Sequence, residues 1–225
     1  MTHWDGVLVA DSAERSSGSS GPLDRGPPQE LYIYYLRGLA RDAALRRRCD
    51  FLGNWREGGC SFLFFDRPAE KAVRELLRAQ AGLELIEEHR VAYSDWLGGE
   101  IATYTEGSIR VVPVWESPAP EPGTLDVRID PGVVFGAGNH PTTRACLRAL
   151  QRILAEHTVE TVLDLGSGTG LLGIAAARLG ATRVLGVDSN PLAAQTTRKN
   201  IMQNGQQDRV LAACGLAESL PLGRA

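Results

Sequence analysis

The residues of this chain best placed to do chemistry lie in two runs. They are Thr161-Val-Leu-Asp164-Leu-Gly166-Ser-Gly168-Thr-Gly170 and, after a helical segment, Arg183-Val-Leu-Gly-Val-Asp188. Glycine at every second position leaves the peptide units open to close approach by a ligand, and the apolar run that precedes it has strand length. An acidic residue closing the next strand of a βαβ unit arrives beside such a turn, where its carboxylate can accept hydrogen bonds from ribose hydroxyls. A dinucleotide is disfavoured, because Gly-x-Gly-x-x-Gly is required and here the third glycine comes one residue early, followed by Leu171 and Leu172. Asp164, just before the turn, would repel a pyrophosphate and suits a ligand with positive charge. S-adenosylmethionine carries an ammonium and a sulfonium and no phosphate, so Asp164 is expected to order its methionine end and Asp188 its ribose. The glycines alone would equally describe a tight turn packing a helix on a sheet. The two aspartates at this spacing favour the cofactor.

A second constellation precedes the first. Asp130-Pro-Gly-Val-Val-Phe-Gly136-Ala-Gly138-Asn-His140-Pro-Thr142-Thr143 combines glycines, a lone histidine and paired threonines directly before a helix from Arg144 to Leu154. Thr142 or Thr143 can cap that helix, and hydroxyls at a helix amino terminus can also bind the carboxylate of a methionine moiety. His140 has no carboxylate or cysteine partner that would place it in a triad or a metal site. No metal is expected, and no catalytic base is assigned.

The elements that must position these residues divide the chain. Residues 1–28 are rich in Ser, Gly and Pro and read as a disordered leader. From 29 to 116 the pattern alternates between strands (Leu31 to Leu36, Ser61 to Phe65, Leu83 to Val91) and helices (Ala43 to Cys49, and one starting near Pro68), an α+β order of ferredoxin type. Arg46, Arg47 and Arg48 read as a solvated helix face that could meet an acidic partner. A proline-rich linker spans 117–129, and 130–225 holds the glycine turn. The length of 225 residues suits about two domains. No apolar run approaches the roughly 20 residues of a membrane span, and no secretory signal is visible. A formal charge of -3 argues against a chain that coats nucleic acid. Cys49, Cys60, Cys146 and Cys214 lie singly, without metal-ligand spacing, and are expected to be small buried side chains of a reducing compartment.

Asp130-Pro-Gly, Phe135-Gly-x-Gly-x-His-Pro-Thr-Thr143, the Asp164-x-Gly-x-Gly-x-Gly170 turn, Asp188 and Val111-Val-Pro-Val-Trp115-Glu116 together resemble the ribosomal protein L-eleven methyltransferases (PrmA type), from about Leu31 to the carboxyl end. That family comprises class I S-adenosylmethionine-dependent enzymes that methylate lysine or amino-terminal amines of a large-subunit ribosomal protein in the cytoplasm. The resemblance implies an α/β fold: a Rossmann-like methyltransferase domain preceded by a small ferredoxin-like α+β domain that recognises the protein substrate. It also implies cofactor contacts from Thr143, Gly166 and Asp188, with Asp164 and Gly168 in the same turn.

Two departures stand out. Ala137 and Asn139 replace residues that are usually threonine in the family. After Arg209 to Cys214 only eleven residues follow, whereas the family continues into further strands and an Asn-Ile-Leu type loop beside the transferable methyl. The carboxyl half of the domain is therefore expected to be missing, and the edge of the strand carrying the glycine turn to be open for a partner chain that completes the sheet. Three functions compete: a methyltransferase for a ribosomal protein, a methyltransferase for a different protein or small molecule, and an inactive remnant that only binds a partner. A nicotinamide oxidoreductase ranks below them because the glycine spacing is wrong.

Overall fold

The computed structural model describes residues 26–138 and 140–219; residues 1–25 of the expected leader, Asn139 and the last six residues lie outside them. The described residues form two compact units, 26–101 and 102–219.

The first unit is one antiparallel sheet of β1 (Glu30–Arg37), β2 (Phe51–Glu57), β3 (Cys60–Phe65) and β4 (Glu84–Ala92), in the order β2-β3-β1-β4. Gly58 and Gly59, both at positive φ, supply the two-residue hairpin between β2 and β3. Helix α1 (Glu70–Ala79) joins β3 to β4 and buries Ala72, Val73 and Leu76 against Leu36, Leu63 and Phe65. The Tyr34 hydroxyl reaches this core and accepts the Ala69 N–H at 2.8 Å. A single helical turn, α2 (Tyr93–Trp96), follows β4. The edge strand β4 exposes Glu84, Glu87, Glu88 and Arg90, charges that discourage pairing with another chain.

The helix expected over Ala43 to Cys49 is only one 3-10 turn, Leu45–Arg47. Arg48 leaves it in an extended conformation, because its guanidinium is clamped on the Asp50 carboxylate at 2.9 and 2.6 Å at the entry to β2. Arg46 pairs with Asp42 at 3.2 Å. All three arginines stay exposed, so the run is solvated as expected, but on a single turn and with Arg46 and Arg48 paired to nearby carboxylates.

The second unit begins with β5 (Tyr104–Glu106), β6 (Ile109–Pro113) and β7 (Leu125–Ile129), in the order β5-β6-β7. Pairing of β7 with β6 is parallel, so the end of the segment 117–129 is a strand and not a linker, and the division between compact units falls at 101/102. Buried Arg110 secures this arrangement. Its guanidinium makes hydrogen bonds of 2.7 and 2.8 Å to the Asp126 carboxylate and donates to the Ala119 carbonyl at 2.7 Å. Helix α3 (Pro141–Glu156) leads into β8 (Thr161–Leu165), α4 (Leu171–Arg178), β9 (Arg183–Asp188), α5 (Pro191–Gln203) and β10 (Val210–Cys214). These strands form a parallel sheet in the order β10-β9-β8, with β8 outermost among the described residues. One apolar cluster joins Val111, Val127 and Ile129 to Leu147 of α3, Ile174 to Ala177 of α4 and Val184 of β9. Alanine at 175, 176 and 177 lets α4 approach its neighbours closely.

All four cysteines are free, and Cys49, Cys146 and Cys214 are exposed where burial was expected. Cys146 illustrates the reason: Leu147 occupies the inner face of α3 and turns its neighbour outward. No helix of the described residues is long and apolar enough to cross a membrane.

Candidate cofactor site

The glycine turn sits where β8 gives way to α4, at the carboxyl end of the parallel sheet, where open α/β sheets bind their ligands. Its N–H groups are already occupied. Gly166 and Ser167 donate to the Val187 carbonyl at 2.8 and 3.1 Å, Thr169 to the Phe135 carbonyl at 3.1 Å, and Gly170 to the Ser167 carbonyl at 2.6 Å. The Gly168 N–H donates to Asp188 Oδ2 at 3.0 Å. A phosphate bound at a turn of this kind takes such N–H groups, and here none of these five is left for it. What the site offers instead is acceptors.

Asp188 is half-buried at the end of β9, with Oδ2 on the Gly168 N–H and Oδ1 on the Asn190 N–H at 2.9 Å. Each oxygen keeps a lone pair, in an orientation set by two backbone donors. Asp164 lies behind the turn, its Oδ2 accepting the Gly173 N–H at 3.1 Å. Burial pushes its carboxyl above the usual range; the Gly173 N–H opposes that rise, and the Asp188 charge adds to it. A carboxyl raised in the folded state binds its proton there more tightly than in the unfolded chain. Stability therefore falls as pH rises from the unfolded value of about 3.9 through the raised range of the folded state. Asp164→Asn keeps an oxygen for Gly173 and removes the charge. It is expected to raise the thermal midpoint at pH 7, with the gain disappearing below about pH 4, as thermal melts across that range will show.

Phe135 and Gly136 lie against the turn. Thr169 donates its hydroxyl to the Gly136 carbonyl at 2.7 Å and its N–H to Phe135. The Phe135 ring is 75% exposed. At Gly138 (φ +92°) a side chain would overlap the Tyr104 hydroxyl. Burial pushes that hydroxyl up to about 12, although the Arg144 guanidinium lies 4.0 Å from the ring centroid and opposes the rise. Neither Thr142 nor Thr143 caps α3. His140 does, its Nδ1 accepting the Thr142 N–H at 3.3 Å and lying 2.6 Å from the Thr142 hydroxyl. Pro141 at the first helical position leaves the imidazole as the nearest acceptor for that N–H. This use of Nδ1 gives His140 a structural task. Thr143 is half-buried in the first turn of α3, its N–H on the His140 carbonyl at 3.1 Å.

The structure thus bonds Gly168 directly to Asp188, ties Gly166 to the neighbouring Val187 carbonyl and Asp164 to Gly173 at the start of α4, and joins the turn to Phe135 and Gly136 through Thr169. Sequence reasoning missed the buried polar ridge of α5. Thr197 donates to the Gly168 carbonyl at 2.9 Å and lies 3.0 Å from the Ser167 hydroxyl, and Asn200 donates to the Thr169 carbonyl at 2.8 Å. The signal for it was polar residues at positions 197, 200 and 204, spaced to share a helix face with Ala193, Ala194 and Ile201.

A βαβαβ sheet with a glycine turn at its carboxyl end, and an acidic residue closing the second strand against that turn, is the arrangement of the doubly wound α/β class. The family model described as ribosomal protein L11 methyltransferase (PrmA) matches residues 68–221, and the chain belongs to that family. It is 41% identical over 128 residues to the ribosomal protein L11 methyltransferase of Desulforamulus reducens, covering 55% of this chain and 41% of that one. It is 48% identical over 95 residues to the same-named protein of Geobacter metallireducens, covering 42% and 31%. The chain thus spans less than half the length of these relatives. Among solved structures it is similar to a ribosomal protein L11 methylase from Lactobacillus delbrueckii subsp. bulgaricus, with 31% identity, coverage of 51% of this chain and 55% of that one, and a TM-score of 0.43.

Proposed function

We propose that this chain carries the cofactor site of an S-adenosylmethionine-dependent protein N-methyltransferase, acting on lysine or amino-terminal amines of ribosomal protein L11 in the cytoplasm. The observation that carries the reading is the glycine turn itself, whose N–H groups are bonded within the protein while Asp188 is held with lone pairs free. Such a site rejects phosphate and accepts a neutral ribose and a cationic methionine end. Asp188 takes the two ribose hydroxyls. Gly168 fixes Asp188 through its N–H, and Gly166 lets the ligand approach the turn. Asp164 supplies negative charge beneath the methionine end, and Thr143 a hydroxyl at the start of α3.

When bound, S-adenosylmethionine supplies a methyl group on a sulfonium; the acceptor nitrogen forms the new bond in line as the carbon–sulfur bond breaks, leaving S-adenosylhomocysteine. A lysine acceptor must first lose its proton, since its ordinary pKa is about 10.4, so the protein's task is to orient and desolvate the amine. The 26–101 unit suits recognition of the protein substrate. Its four-stranded antiparallel order β2-β3-β1-β4, with α1 crossing from β3 to β4, supports a ferredoxin-type reading.

A cation bound beside Asp164 favours the ionised carboxylate, so affinity for S-adenosylmethionine is expected to rise with pH through the raised titration range of that group, and Asp164→Asn to weaken binding while stabilising the free chain. The direct test of the function is transfer of label from methyl-tritiated S-adenosylmethionine to purified ribosomal protein L11. Label in the ribosomal protein supports the reading. Cofactor binding without any transfer would restrict it to the binding step.

A further inference from the structure

Asn200, in the last part of α5, is fully buried and uses its side-chain amide on two stretches of chain that are distant in sequence. Its Oδ1 accepts the Asp130 N–H at 2.9 Å, and its Nδ2 donates to the Asp130 carbonyl at 3.0 Å and to the Thr169 carbonyl at 2.8 Å. One planar group therefore grips both backbone polar groups of Asp130, where the segment toward Thr143 begins, and a carbonyl of the glycine turn. Asp130 is itself immobilised, its carboxylate taking the Gly132 N–H at 3.0 Å and the Lys199 ammonium at 2.5 Å. One turn earlier on α5, Thr197 grips the adjacent carbonyl of the turn, that of Gly168, at 2.9 Å.

We propose that Asn200 is a positioning residue for cofactor binding: it holds the Thr169 carbonyl on the helix side of the turn and sets the turn and the Asp130 segment at a fixed separation. A peptide unit has one carbonyl and one N–H on opposite sides. Pulling the carbonyls of Gly168 and Thr169 toward α5 therefore fixes the direction of the N–H groups that follow them, those of Thr169 and Gly170, on Phe135 and Ser167. With Asn200 truncated, two backbone carbonyls and one N–H lose a buried partner at the place where the two parts of the site meet. The inference rests on the cofactor reading above but concerns a residue with no surface for the ligand to touch.

Asn204 provides the control, because it is a second buried amide, at the carboxyl cap of the same helix, where it also donates to the Asn200 carbonyl at 2.8 Å. It accepts the Arg128 N–H at 2.9 Å and donates to the Arg128 carbonyl at 2.7 Å, and it does not touch the turn. Calorimetric titration of the full chain with S-adenosylhomocysteine, at a temperature well below each variant's melting midpoint, separates a positioning role from a merely structural one. Both Asn200→Ala and Asn204→Ala are expected to lower the melting temperature, since each leaves buried backbone groups unpaired. Only Asn200→Ala is expected to lose affinity, by about tenfold or more, while Asn204→Ala stays within about twofold of the unmodified chain. Should Asn200→Ala fail to fold, Thr197→Val, which keeps the side-chain shape and removes the donor to Gly168, is expected to show the same roughly tenfold loss. Wild-type affinity in folded Asn200→Ala, equal losses in Asn200→Ala and Asn204→Ala, or wild-type affinity in Thr197→Val where that variant stands in would overturn the proposal. No binding by the unmodified chain would instead overturn the cofactor reading itself, and this inference with it.

Discussion

Asp188→Ala is expected to weaken S-adenosylmethionine binding by about 1.5 to 3 kcal/mol, roughly ten- to hundredfold, the usual worth of a hydrogen bond to a charged group. Two effects act together. The ribose hydroxyls lose their acceptor, and the Gly168 and Asn190 N–H groups lose the carboxylate that they orient. Asp188→Asn separates the two. Its amide retains one oxygen and presents a donor on the other side, so one of the two backbone N–H groups faces an NH2 in place of an oxygen. Its affinity is expected to fall between those of the unmodified chain and the alanine variant, as parallel calorimetric titrations will measure. Unchanged affinity in Asp188→Ala would remove Asp188 from the site.

Gly168→Ala is expected to abolish measurable cofactor binding and to lower the melting temperature by several degrees. Gly168 has φ +54°, a conformation that costs an alanine about 1 to 2 kcal/mol, and its Cβ would overlap the Phe135 carbonyl oxygen. That oxygen is backbone and already accepts the Thr169 N–H, so it cannot move aside without breaking the contact between the turn and the 130–143 segment. Gly166→Ala is the informative contrast. Gly166 also has positive φ, at +71°, but among the described residues, its two chain neighbours aside, no atom lies within 4 Å of the place that an added Cβ would take. Its stability loss is expected to be limited to the conformational cost of about 1 to 2 kcal/mol, while affinity falls because the methyl group occupies space reserved for ligand. Melting curves and titrations of the two variants, run side by side, check both statements.

The parallel sheet, the glycine turn and Asp188 are legible in the sequence because each leaves a local mark: an apolar strand-length run, alternating glycines, and an acid at the end of the next strand. The cofactor class is read from the glycine spacing together with Asp164 and Asp188, and the bonded N–H groups of the turn agree with its disfavouring of a phosphate ligand. Strand β7 reads as linker because Leu125–Ile129 is short, carries Asp126 and Arg128, and follows a proline-rich stretch; only pairing with β6 and the Arg110–Asp126 contact reveal it. Threonine is the expected cap of α3 because serine and threonine commonly cap helices, but Pro141 shifts the helix start so that His140 fills the position. The α5 ridge escapes notice for another reason. Thr197, Asn200 and Asn204 are polar residues to which the sequence alone assigns no role, and their burial depends on backbone carbonyls contributed by residues up to 76 positions away. Helical spacing marks which residues share a face, but not whether that face meets water or a second segment of chain.

Whether this turn is a site for S-adenosylmethionine and not for a dinucleotide is decided by calorimetric titration of the intact chain with S-adenosylmethionine and, separately, with NAD. Saturable one-to-one binding of S-adenosylmethionine and none of NAD is expected, since the turn has no N–H group free for a pyrophosphate. A folded chain that binds NAD, or that binds neither ligand, would contradict the assignment.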